Sequence, residues 1–157
     1  MTNIFSNKYL LFGLRLVLGA LFIYSAVTKI EDIHYFVKSI ENYKLLPSGL
    51  LNVIGITIPA LELIVGIFLL LGIFVKESAL VGSILMIIFI LVVASALFRG
   101  LDIDCGCFGT AGGSKVGVLK LLENFLILAG FLWLTKTGSD YLAVIKDTVE
   151  TDRKFPF

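Results

Sequence analysis

Charge is scarce in this 157-residue chain: 16% of its residues are charged and 58% are hydrophobic, whereas a soluble domain carries roughly 25% charged residues. That balance excludes an ordinary soluble globular protein. Basic stretches are missing as well, since the net charge is +1 and no run of Lys and Arg stands outside the ends of the apolar segments, so no nucleic acid is expected as a partner. One histidine and two cysteines leave a tetrahedral zinc site short of a clear fourth ligand, and no metal is expected. There is no internal repeat and no low-complexity tract.

What is present is hydrophobic length. Apolar runs cover 9–27, 50–75, 79–98 and 118–134, and the first, of about 19 residues, makes roughly 28 Å of helix, close to the hydrocarbon thickness of a bilayer. Arg15 interrupts the first run, which also exceeds the usual length of a signal-peptide core, so a span is preferred to a cleavable leader. The expectation is an all-α integral membrane protein, a single four-transmembrane-helix bundle over 1–157. The tail 136–157 is mostly polar and is expected to be loosely held.

The connections differ in character. Lys76-Glu77-Ser78 reads as a tight hairpin between the second and third spans. Over 28–48, Ile33, Phe36, Val37, Ile40 and Tyr43 recur at helical spacing against Lys29, Glu31, Lys38, Glu41 and Lys44. This pattern predicts an amphipathic interfacial helix between spans one and two, stopped by Pro47 and Gly49, with a solvated loop as the alternative. The Gly-rich 101–117 segment is not expected to be helical. An even number of spans puts both termini on one side and the 28–48 and 99–117 segments together on the other. Lys and Arg divide almost evenly between the sides. The basic tail (Lys136, Lys146, Arg153, Lys154) favours cytoplasmic termini, and a vicinal cysteine pair favours an oxidising face outside.

Both cysteines lie in Asp104-Cys105-Gly106-Cys107-Phe108-Gly109. A disulfide across one intervening residue closes a small, strained ring that is easily reduced, which suits exchange better than stapling. Gly106 gives the ring backbone freedom and Gly109 lets the chain turn beyond Phe108. A nearby cation would activate a thiol, with Lys29, His34, Lys38 and Arg99 as candidates, while Asp104 beside the pair is a possible proton acceptor. Inert packing of the thiols, metal binding and lipidation remain alternatives.

Arg15 and Glu62 sit inside apolar runs, where an uncompensated charge costs at least about 2.5–3.5 kcal/mol. An intramembrane ion pair between them is one reading. The other has Arg15 snorkelling and Glu62 protonated or bonded to backbone freed by Pro59. Gly55, Gly66, Gly72, Gly82 and Gly130, with Ser83 and Ser95, suit close helix packing.

The chain resembles the DoxX-like superfamily of small four-span bacterial membrane proteins, and within it the branch of the methylamine utilisation protein MauE. The likeness rests on Arg15, Gly19, Phe22, Ser25 and Lys29; on Phe36, Ile40, Tyr43 and Leu45-Leu46-Pro47; on Pro59, Leu61, Glu62 and Gly66; and, most specifically, on Cys105-Gly106-Cys107-Phe108-Gly109. Members often carry an arginine where this chain has Glu123, ahead of Asn124. The resemblance implies a multi-pass protein of the bacterial cytoplasmic membrane engaged in protein maturation or thiol-disulfide handling, beside a thioredoxin-like or disulfide-bearing extracytoplasmic protein. It also makes electron passage to membrane quinone a reasonable extension, although no residue here fixes a quinone. A non-catalytic membrane subunit or anchor for such a partner is the alternative. A small-solute transporter would need a polar path, for which the sequence offers little beyond Arg15 and Glu62.

Overall fold

The computed structural model describes residues 8–45, 47–100 and 118–137. In chain order the helices are α1 (Lys8–Glu31), α2 (Ile33–Asn42), α3 (Ser48–Leu71), α4 (Val75–Phe98) and α5 (Val118–Thr137). Four of them are long and apolar enough to cross a membrane. At 1.5 Å per residue they measure about 30–36 Å, enough for a hydrocarbon core of about 30 Å. The protein is an all-helical, multi-pass membrane protein.

Lipid-facing positions such as Val17, Tyr24, Ile56, Leu80, Ile84, Leu91 and Leu126 carry large exposed apolar side chains. The inward face of α1 is a stripe at heptad-like spacing, Leu11, Arg15, Leu18, Phe22, Ser25 and Lys29, all buried. Here the structure corrects the expected end of the first span: Lys29 does not belong to the polar face of the 28–48 segment. The helix runs on to Glu31 and turns Lys29 inward.

The α2 helix matches the amphipathic expectation. Asp32 caps it, its side chain accepting from Tyr35 N at 3.0 Å. Phe36, Ser39 and Tyr43 are buried beneath it, and His34, Lys38, Glu41 and Lys44 are exposed. Its apolar side rests on α3, where Val37 fills the space a Cβ would need at Gly55. Pro47 acts as the N-cap of α3 and Gly49 lies within that helix, so both begin the next span rather than close α2.

The hairpin between α3 and α4 falls earlier than Lys76-Glu77-Ser78. Gly72 adopts the left-handed conformation (φ 70) that ends α3, with Ile73 N donating to Phe68 O at 2.8 Å and Gly72 N to Leu69 O at 3.2 Å. Lys76, Glu77 and Ser78 then form the first turn of α4, where Glu77 complements the positive end of the helix.

The most extensive packing joins α1 to α3 and α4 to α5. The first pair approaches closely at Gly19 and Gly66: a Cβ on Gly66 would lie 2.9 Å from the Gly19 carbonyl oxygen and 2.7 Å from the Ile23 side chain. Phe22 and Phe131 meet edge to face, with centroids 4.7 Å apart, and bring α5 onto α1. At the far end, Arg99 Nη1 donates to Tyr43 O at 2.7 Å, tying the end of α4 to the end of α2.

Because a backbone oxygen cannot yield as a flexible side chain can, Gly66→Ala is expected to wedge α1 from α3. It should cost about 1–3 kcal/mol, the range of overpacking substitutions. Gly13→Ala, with open space at its Cβ, should not. Thermal unfolding of the two purified variants in one detergent checks the contrast.

Candidate functional site

The intramembrane carboxylate has a partner, and it is not Arg15. Lys29 Nζ donates to Glu62 Oε1 at 2.6 Å and to Oε2 at 2.7 Å. It also donates to Ser25 Oγ at 2.9 Å, and Ser25 Oγ donates to Glu62 Oε2 at 3.3 Å. All three ammonium donors are therefore engaged inside the bundle. Lys29 is 1% exposed and Glu62 5%. The ammonium also lies over two aromatic faces, 4.7 Å from the Phe89 centroid on α4 and 5.3 Å from that of Phe36 on α2. One buried cation thus draws together α1, α2, α3 and α4.

Helical register excludes the expected Arg15–Glu62 pair. Ser25 meets Glu62, and Arg15 lies ten residues earlier on α1, which is about 15 Å along the axis. Arg15 is buried elsewhere, near the Gly72 end of α3, with its guanidinium carbon 5.1 Å from the Phe12 centroid. Sequence reasoning named Lys29 as a cation for the thiols and missed it as the partner of Glu62, because a lysine ends an apolar run. The usable signal was its spacing, since Lys29 continues the buried series through Phe22 and Ser25.

Beside the pair is a cavity of about 30 Å³ lined by Ser25, Lys29, Glu62, Met86, Phe89 and Asn124, among others. Asn124, on α5, is 4% exposed and brings the fifth helix to the same point.

Cys105, Gly106, Cys107, Phe108, Gly109 and Asp104, expected to carry the chemistry, lie outside the described residues. Their segment is flanked by Gly100 after α4 and Val118 at the start of α5, at the bundle end occupied by α2. Of the cations proposed to assist a thiol, Lys29 is committed to Glu62 and Ser25, and Arg99 donates to Tyr43. His34 and Lys38 are exposed on α2 at that end.

The helix order, the buried Lys29, Ser25 and Glu62, and the interfacial α2 can now be set beside known proteins. The family pattern described as Methylamine utilisation protein MauE matches residues 7–137, from ahead of α1 to the end of α5. The chain belongs to the MauE family. Methylamine utilization protein MauE of Paracoccus denitrificans is 27% identical over 130 residues, covering 82% of this chain and 70% of that protein. That of Methylorubrum extorquens is 30% identical over 114 residues, 70% of this chain and 61% of the relative. Protein TlpB of Flavobacterium psychrophilum is 27% identical over 160 residues; the match takes in 92% of this chain but 43% of that longer protein. No solved structure matches the chain significantly.

Removing one partner of a buried pair strands the other charge. Lys29→Met should therefore destabilise by about 3–5 kcal/mol. Pairing it with Glu62→Leu should recover most of the loss, because a matched apolar pair replaces a matched ionic one. A double-mutant cycle between Arg15→Met and Glu62→Leu, too distant to couple, should be additive within about 0.5 kcal/mol. Thermal unfolding of detergent-purified variants, with the yield of monodisperse protein, measures all three.

Proposed function

We propose that this member of the MauE family is a membrane thiol-redox factor for the maturation of an extracytoplasmic protein, working through Cys105 and Cys107. The observation that carries the reading is the placement of Cys105-Gly106-Cys107-Phe108-Gly109 within the family-matched stretch, between two spans whose flanking ends share the α2 face. Likeness to the MauE proteins and to TlpB supports the assignment to this group, and the wider DoxX-like grouping is part of the same proposal.

In the oxidising direction, a thiolate of a partner in its dithiol form, thioredoxin-like or yet to acquire its disulfide, attacks the Cys105–Cys107 disulfide and forms a mixed disulfide. The partner's second thiolate then displaces it. The partner leaves oxidised, and Cys105 and Cys107 hold two electrons and two protons as thiols. Membrane quinone is the proposed acceptor: two electrons and two protons convert it to quinol as the cysteine disulfide re-forms. His34 and Lys38, exposed on α2, are the described groups proposed to favour a thiolate arriving there. On this proposal the termini lie in the cytoplasm and the cysteine segment outside.

Single variants separate exchange from anchoring. Cys105→Ser or Cys107→Ser should trap a partner in a mixed disulfide that reductant releases, visible on non-reducing gels of intact cells. If neither variant traps a protein and the double variant retains full function, the redox reading fails and a membrane anchor takes its place. In intact cells, a membrane-impermeant thiol reagent should label the reduced pair without permeabilisation. Labelling only after permeabilisation would reverse the topology.

A further inference from the structure

The polar groups lining the cavity at the centre of the bundle have unequal hydrogen-bonding capacity. Asn124 is 4% exposed, and its Nδ2 finds no hydrogen-bond partner among the described residues. A buried donor left so costs about 1–3 kcal/mol, and more is at stake in an interior of low dielectric.

Across the cavity there is surplus acceptor capacity. A carboxylate offers about four lone-pair sites. Glu62 Oε1 receives Lys29, while Oε2 receives Lys29 and Ser25, so Oε1 can accept once more. Ser25 Oγ accepts from Lys29 and donates to Glu62, and so belongs to the same fixed cluster. Lys29 has no donor to spare. The unmet demand is therefore for a group that accepts from an amide and donates to a carboxylate.

A volume of about 30 Å³ admits a water molecule, for which roughly 10–15 Å³ is needed, and buried waters make about two to four hydrogen bonds. We propose that this cavity is a binding site for an internal water that accepts from Asn124 Nδ2 and donates to Glu62 Oε1. The site joins α5 to the ion pair held by α1 and α3. In lipid, where no hydrophobic drive brings helices together, such a polar tie fixes the register of α5. Asn124 lies six residues, or about 9 Å, below Val118, so the tie also sets the height at which α5 meets the 101–117 segment. The inference stands apart from the redox reading, since it requires nothing of the cysteines.

Nuclear magnetic resonance on the full chain in detergent micelles tests it. Met86 lines the same cavity and is one of only two methionines, the other being Met1, so its labelled methyl signal is readily assigned. The expected result is a rotating-frame Overhauser cross-peak from water to both the Asn124 side-chain amide and the Met86 methyl, of the sign that marks dipolar contact rather than proton exchange. Filling the cavity with Met86→Phe should abolish the Asn124 peak. Absence of a dipolar peak at either group of the unaltered protein overturns the proposal. So does an Asn124 peak that survives intact in a folded Met86→Phe variant. Should that variant fail to fold, the two contacts in the unaltered protein decide alone.

Discussion

The bundle depends on one constraint: a carboxylate near the middle of α3 must be neutralised away from bulk water. Lys29 meets it from the last turn of α1, and the consequences spread outward. To bring Nζ within 2.7 Å of both carboxylate oxygens, α1 and α3 must pack closely, which Gly19 and Gly66 allow. The ammonium's remaining surface is covered by Phe36 and Phe89, so α2 and α4 are drawn to the same level. Charge attraction alone does not recover the desolvation of two ions; it needs every donor satisfied, and Ser25 supplies the last acceptor. The pair is thus better understood as a device for uniqueness of packing than as a large source of stability.

This also explains the division between the two ends of the protein. Interior contacts are mostly apolar on the side of Leu11, Leu69, Val75 and Leu134, where α1, α3, α4 and α5 share one core, with Arg15 and Ser78 the buried polar exceptions. The Lys29, Ser25 and Glu62 cluster lies towards the α2 end, where the cysteine segment begins and ends. Thiol chemistry there would have that cluster beneath it, and beside it the exposed side chains of α2.

Much of the architecture was legible in the sequence, because lipid imposes length and hydropathy directly. The four spans and α2 follow from apolar runs and from the helical spacing of Phe36, Val37, Ile40 and Tyr43. Helix ends were less legible, since they are set by caps and backbone geometry rather than by where apolar residues stop. Lys29 ends an apolar run yet lies within α1, and Gly72 turns the chain before the polar Lys76-Glu77-Ser78. The pairing of Glu62 was illegible for a further reason. Two cations, Arg15 and Lys29, share the inward stripe of α1, and only the axial register of α1 on α3 decides between them. For Cys105 and Cys107 the sequence supplies a motif, and they lie outside the described residues.

The bond from Arg99 to the Tyr43 carbonyl makes a strap between the end of the amphipathic α2 and the end of α4. Either helix can slide along the bundle axis only by breaking that bond or carrying the other with it.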